Sequence, residues 1–293
     1  MKKKLSLIAL MAVMFFGYSQ ETAPVKEEFK SNVPITDRGA YTRPGSNINK
    51  GLQLELGYNY DWVDSKNNVF KTDVMTPIAG KLRLGLSKYI ELDFAISNKQ
   101  VILRPWDEDG SFKEDKYGYW SPLEIGVRTQ FVDSKKKCGT DASLYLGLAV
   151  NNTQRSTFED DGSVRTWVLV DRPSYVTPEM AILVNHNLGK RVILGYNAGF
   201  KWTGIVLDDA ASAKDPDIFY SVRALVHVAS SFDVYVEHFN AVRKAYSPNL
   251  GMNFGARYAV SPKFVLDVNG GLGLNDNSSD GFAGVGLSYK LGK

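Results

Sequence analysis

Cysteine is nearly absent: Cys138 is the single one in 293 residues, which excludes a disulfide framework and a thiolate metal cluster. Histidine is almost as scarce, with His186, His227 and His238 making up the whole complement. No His-x-x-x-His, Cys-x-x-Cys or Gly-x-Ser-x-Gly spacing occurs, so the sequence signatures of zinc hydrolases, dithiol redox centres and serine esterases are all missing. After Phe16 no apolar run approaches the roughly twenty residues that a spanning helix needs, which excludes a helical membrane topology. An excess of one charge is missing too. The chain carries Lys+Arg 35 against Asp+Glu 32, and the surplus is accounted for by Lys2, Lys3 and Lys4. Beyond them the balance is 35 − 3 = 32 against 32, which gives no electrostatic reason to expect nucleic acid as a partner.

Those three lysines open the first feature that is present. They precede an apolar run from Leu5 to Phe16 and then Gly17, Tyr18, Ser19 and Gln20, the order of a secretory signal. Residues 1–20 are therefore expected to be an export signal that is removed. No cysteine follows the run, which argues against a lipoprotein anchor. Export without disulfides suits a Gram-negative envelope.

The rest of the chain is written largely in one code. Near its end Leu250, Met252, Phe254, Ala256, Tyr258 and Val260 alternate with Gly251, Asn253, Gly255 and Arg257, and the pattern repeats over 264–274 and 283–291. A period of two with one greasy face is a β-strand. Segments of about ten residues suffice to cross a hydrocarbon layer when tilted. Reading the alternation backwards gives about twelve strands, over 52–62, 76–87, 90–99, 120–132, 141–151, 175–187, 191–203, 217–229, 232–242, 249–260, 264–275 and 280–291. Their connections alternate between tight turns and long loops such as 63–75, 100–119, 152–174 and 204–216. The expected fold is all-β: a transmembrane antiparallel β-barrel of about twelve strands over 51–293, with short periplasmic turns and longer extracellular loops.

A soluble β-sandwich alternates as well, but its strands are about half as long. Aromatics at strand ends in the apolar phase also favour the barrel: Tyr58, Tyr60 and Trp62; Phe200 and Trp202; Tyr258 and Phe264. Such positions form interfacial girdles. The location expected is the cell outer membrane. The partners expected are membrane lipid, lipopolysaccharide and the barrel-assembly machinery, whose signal commonly ends in an aromatic. Tyr289, ahead of Lys290, Leu291, Gly292 and Lys293, is the candidate for that role.

Two stretches carry a family likeness. Ile35-Thr36-Asp37-Arg38-Gly39-Ala40-Tyr41-Thr42-Arg43-Pro44-Gly45, followed by Asn49-Lys50-Gly51-Leu52-Gln53-Leu54-Glu55-Leu56-Gly57, resemble the entry to the barrel in the family called the MetA pathway of phenol degradation. Its members often open with Thr-Asp-Arg-Pro; here Gly39 stands at the proline position. The hairpin Leu82 to Leu92 and the ending Ser261 to Tyr289 are similar to it as well. The resemblance implies an outer-membrane transporter, and only the family name points to a hydrophobic or aromatic solute.

If the apolar phase meets lipid, the other phase faces the lumen. Its charged members are Glu55, Lys81, Arg83, Glu91, Asp93, Glu124, Arg128, Glu179, Lys201, Arg223, Glu237, Arg257 and Asp267. These are the candidate lining or solute-binding residues. Both signs are present, so strong ion selectivity is not expected, and the same charges could equally pair into a rigid closed network. Inward glycines, among them Gly126, Gly147, Gly251, Gly255 and Gly271, leave space for water or polypeptide, or permit strand curvature. Residues 21–50, interrupted by Pro24, Pro34 and Pro44, form a periplasmic segment that is either a free tether or an occupant of the lumen with Thr36, Asp37 and Arg38 as its motif. Acidic loop stretches (Asp107 to Gly110, Glu159 to Gly162, Asp208-Asp209, Asp276 to Asp280) lack a complete calcium loop, so no metal or cofactor is expected.

The function expected is a passive channel or transporter for a small-molecule solute, with no catalytic residues. The alternatives are a structural or surface-binding barrel with a closed, salt-bridged lumen, and an outer-membrane lipid hydrolase, for which His238 near Asn240 is the only foothold and lacks a serine beside it.

Overall fold

Alternation dictates the architecture, because a strand with one apolar face buries every backbone polar group across membrane only if the sheet closes on itself. The computed structural model describes residues 33, 36–37, 42–48, 50–64, 70–105, 115–133, 139–151, 155–160, 165–170, 175–202, 205–206, 216–243, 246–275 and 278–291. The export signal over 1–20, Arg38, Cys138 and the acidic residues 107–110 and 208–209 lie outside the described residues.

The sheet begins with β1 (Gly51–Asp64), β2 (Phe70–Gly85) and β3 (Ile90–Pro105), then β4 (Asp115–Trp120), β5 (Leu123–Val132) and β6 (Thr140–Asn151). A hairpin of β7 (Arg155–Asp160) and β8 (Arg165–Val170) forms its own two-stranded sheet. The main sheet continues with β9 (Tyr175–Leu188), β10 (Val192–Lys201), the short β11 (Ile205–Val206), β12 (Asp217–Ala229), β13 (Phe232–Arg243), β14 (Tyr246–Ser261), β15 (Phe264–Gly273) and β16 (Gly281–Leu291). Neighbours pair antiparallel, and β16 returns to β1 from Leu52 opposite Leu291 to Trp62 opposite Gly281, which closes the barrel. Twelve strands span it among the described residues, β4 with β5 and β10 with β11 each making one.

All four long loops expected from sequence are partly ladder, the one over 204–216 through β11 against β9. β1 and β2 pair up to Asp64 opposite Lys71, β3 and β4 pair over residues assigned to the 100–119 loop, and β7–β8 occupies much of 152–174. Above the membrane both faces of a hairpin meet water, so the alternation that reports strands in the sequence disappears while the hydrogen bonds continue. The strand expected over 120–132 is interrupted at Ser121-Pro122. Proline supplies no N–H to the ladder, and Ser121 compensates: its N–H donates to Ser97 O at 2.7 Å and its hydroxyl accepts from Ser97 N at 2.8 Å.

Leu56, Tyr58, Trp62, Ile96, Val127, Leu148, Ile182, Val222, Val268 and Val285 point outward and are exposed, the lipid-facing side of such a barrel. Girdle pairs in contact are Tyr60 with Trp62, tilted at 5.8 Å, and Phe264 with Tyr289, edge to face at 6.3 Å between ring centroids. The interior differs from expectation in one respect. The space beside inward glycines is filled chiefly by aromatic rings from adjacent strands. A Cβ on Gly255 would lie 2.3 Å from Tyr235 Cζ, one on Gly251 2.2 Å from Phe239 Cζ, and one on Gly271 2.3 Å from Phe282 Cζ. Tyr145 likewise covers both Gly126 and Gly147. Except for Gly147, which shares β6 with Tyr145, these glycines and rings are interlocked cross-strand neighbours.

Gly255→Ala should therefore overpack the lumen and lower barrel stability by about 1–3 kcal/mol. Gly80→Ala, on the lipid side, where a Cβ would meet nothing nearer than 3.6 Å, should change it by less than about 0.5 kcal/mol. Urea titration of both refolded variants measures the difference.

Candidate functional site: a lumen crossed by the N-terminal segment

The strand register sets opposite charges against each other. Arg83 on β2 faces Asp93 on β3, Glu55 on β1 faces Lys81, and Arg128 on β5 faces Glu91. Their side chains converge near the periplasmic end. Arg83 Nε donates to Glu91 Oε1 at 2.7 Å, Arg83 Nη1 lies 3.3 Å from Glu55, and Arg128 Nη2 lies 3.4 Å from Asp93. Both guanidinium groups have no exposed surface. Ion pairs this buried hold only when geometry and hydrogen bonding are nearly complete.

The centre of this cluster belongs to the N-terminal segment. Asp37 Oδ2 accepts from Arg128 Nη2 at 2.8 Å and from Lys81 Nζ, and Asp37 Oδ1 is 3.7 Å from Arg83. Around it the segment is fastened to the wall by backbone and hydroxyl contacts. Thr36 Oγ1 and Ser288 Oγ are 2.8 Å apart, and Thr42 Oγ1 donates to Ser221 Oγ at 2.9 Å. The Thr42 N–H donates to Glu237, and the Ile48 N–H to Glu91 Oε2 at 2.8 Å. Ser143 Oγ donates to Gly45 O at 2.5 Å. Gly45 passes so close to the wall that a Cβ there would sit 2.6 Å from Asp141 O, so only glycine fits.

Arg43 reaches the other side of the lumen. Its guanidinium lies 4.1 Å over the Tyr145 ring and donates to Glu179 Oε1 at 2.7 Å, with Lys201 Nζ 3.8 Å from the same carboxylate. A third group sits near the periplasmic turns, where Asp233 accepts from Arg257 Nη2 at 2.8 Å and lies 2.6 Å from His227 Nδ1. Asp267 stands opposite Arg257 across β14 and β15.

The segment separates two sets of cavities. Toward the outer end lie spaces of about 390 and 510 Å³ that share Ser97, Lys99, Ser121 and Glu124, with Asp37 and Arg43 of the segment on their walls. On the periplasmic side lies a space of about 210 Å³ bounded by Thr36, Pro44 and Ser46 of the segment. The larger outer space also has apolar walls, including Leu183, Phe219 and Phe239.

All thirteen charged positions singled out from the sequence point inward, but they fall into groups. Glu55, Lys81, Arg83, Glu91, Asp93 and Arg128 meet Asp37 or one another; Glu179 and Lys201 meet at Arg43; Glu124 faces the outer cavities; Arg223 and Arg257 border the periplasmic one. Glu237 is occupied by Thr42 and by Asn253 Nδ2 at 3.0 Å. Sequence reasoning missed Ile48, Tyr145 and Asp233, and met Thr42, Arg43 and Gly45 only within the family likeness, without a role. A cue was available: Thr36-Asp37-Arg38-Gly39 is followed by Thr42-Arg43-Pro44-Gly45, and both threonines end on wall serines. The histidines are dispersed, His186 against Thr140 Oγ1 at 2.8 Å and His238 3.4 Å from Tyr220 Oη.

Two outcomes follow for the segment's hold. Arg128→Met strands buried carboxylates and should cost about 3–5 kcal/mol, read as a lowered urea midpoint. Burial pushes the Asp37 carboxyl up, but Arg128, Arg83 and Lys81 outweigh it and hold the group well below the usual carboxylate range. A depressed pKa contributes its full stabilisation above the unfolded value of about 3.9 and loses it only as pH falls through the folded value. A spin label at Ser46→Cys in a Cys138→Ser background should stay immobilised from neutral pH down to about pH 4.5 and loosen only in stronger acid. With Asp37→Asn it should already be looser at neutral pH.

No curated protein matches this chain. Among solved structures the COG4313 outer membrane channel from Pseudomonas putida F1 superposes with a TM-score of 0.60 at 11% identity, over 87% of this chain and 100% of that one. The transport unit of the autotransporter AIDA-I from Escherichia coli gives 0.54 at 11% identity, over 83% and 90%. The fold is thus that of outer-membrane β-barrels. Residues 170–291 match the model of the family described as "Putative MetA-pathway of phenol degradation", the same family that the entry motif and the closing strands resemble.

Proposed function

We propose that the protein is a passive outer-membrane channel for small, largely apolar solutes, closed on its periplasmic side by its own N-terminal segment. The observation that carries this reading is that the outer cavities end on Asp37 and Arg43, residues held only by non-covalent contacts. The wall charges make withdrawal feasible. Lys81, Arg83 and Arg128 are balanced by Glu55, Glu91 and Asp93, so removing Asp37 leaves these wall cations with wall carboxylates to pair with. Polar contacts satisfied in one state and exchangeable in another are the usual material of a gate.

In this reading Glu124, Glu179 and Lys201 line the outer vestibule, Leu183, Phe219 and Phe239 receive the apolar body of the solute, and Asp37 anchors the gate. An apolar solute is favoured by those walls and by the phenol-degradation description of the matching family. Residues 1–20 act as the export signal, the assembly machinery inserts the barrel, and lipopolysaccharide surrounds its outer half. The chain is not an enzyme in this account. His238 faces the lipid beside Tyr220, which gives it no serine to activate.

A second reading, a permanently closed structural barrel, is favoured by the complete burial of Arg83 and Arg128. Single-channel recording separates the two. Deleting residues 33–48 should give a conductance several-fold above that of the intact protein, with steady rather than intermittent steps. A deletion variant that remains heat-modifiable on gels yet carries no current supports the closed barrel.

A further inference from the structure

Among the described residues Arg223 is the one lumen arginine without a hydrogen bond or a close ion pair. It is 3% exposed, and among the described residues its guanidinium has no hydrogen-bond or ion-pair partner; Nε is buried and unbonded, and its only ring neighbour, Tyr235, is 6.0 Å away. Burying a charge without a partner is among the costliest arrangements in a protein. The strand register does provide a carboxylate, since Glu237 on β13 stands directly opposite Arg223 on β12. That carboxylate is already engaged by the Thr42 N–H of the segment on one oxygen and by Asn253 on the other. The seated segment thus takes the anion that the wall would otherwise give to Arg223.

Arg223 borders the periplasmic cavity of about 210 Å³. The other charged groups facing it are already spoken for. Asp233 is shared by His227 and Arg257, and Asp141 accepts from Gln130 Nε2 at 2.9 Å. Thr36 and Ser46 of the segment and Asn187 of the wall add polar groups around the same space. A guanidinium fork in a small polar chamber suits a planar or tetrahedral oxyanion, which it can grip with two parallel hydrogen bonds.

We propose that this chamber is a binding site for a small oxyanion, a carboxylate or a phosphate, held by Arg223 between the barrel wall and the seated N-terminal segment. The site exists only while the segment is in place, because withdrawal of Thr42 returns Glu237 to Arg223. By linkage the anion therefore stabilises the seated segment. This goes beyond channel activity and does not depend on it.

Calorimetric titration of the refolded full-length protein in non-ionic detergent, with inorganic phosphate and separately with acetate in a chloride-poor buffer, tests the site. Saturable binding of at least one is expected, and which of the two binds tells a phosphate from a carboxylate ligand. Arg223→Gln, shown folded by its heat-modifiable gel migration, should weaken it at least tenfold. Glu237→Gln, which removes the competing charge, should strengthen it several-fold; a merely structural disturbance would weaken it. Absence of saturable binding of both anions by the unaltered protein would overturn the proposal and leave the cavity to water. Unchanged affinity in Arg223→Gln, or weaker binding in Glu237→Gln, would overturn it as well.

Discussion

The contact on which the interior depends is the meeting of Asp37 with Arg128, Arg83 and Lys81. Guanidinium groups sealed from water are costly unless acceptors surround them. The wall supplies most of those acceptors through cross-strand pairing, and the segment supplies one more at the centre. That additional carboxylate sets where the chain crosses the lumen, and the contacts of Thr36, Thr42, Gly45 and Ile48 with the wall follow its course.

The two halves of the barrel solve the problem of filling their interior differently. From β1 to β5 the inner face is ionic, built on Glu55, Lys81, Arg83, Glu91, Asp93 and Arg128. From β6 onward charged groups continue with Arg223, Asp233, Glu237 and Arg257, but aromatic rings seated over glycines join them, with Tyr145, Tyr235, Phe239 and Phe282 as the principal ones. Arg43 of the segment reaches into this second half, stacking on Tyr145 while pairing with Glu179. A solute entering from outside would meet a polar flank and an apolar flank above the same floor.

Much of this was legible in the sequence because a period of two is an unambiguous code where one face meets lipid. The strand over 217–229 is bounded as the alternation implies, and Arg83 and Arg128, in the inward phase of the alternation, are both buried. Three things were not legible. The hairpin extensions above the membrane, such as β3 with β4, are solvated on both faces and so carry no pattern. The break at Ser121-Pro122 is a local event that a periodic reading smooths over. The course of the segment depends on long-range pairings, Thr42 with Ser221 or Ile48 with Glu91, that no local spacing encodes. The inward glycines were visible, but the rings that occupy their space belong to other strands, and register had to be known before Tyr235 could be set against Gly255.

The most direct test of the gate is to fix it shut. Thr36 Oγ1 and Ser288 Oγ lie 2.8 Å apart, so cysteines at these two positions in a Cys138→Ser background are placed to form a disulfide between segment and wall. Solute flux into liposomes, followed before and after addition of a reductant, reads the segment's movement. The account predicts no flux while the disulfide is intact and recovery to the level of the reduced control once it is broken. Equal flux in the oxidised and reduced protein would contradict it, because solutes would then be passing a segment that cannot move.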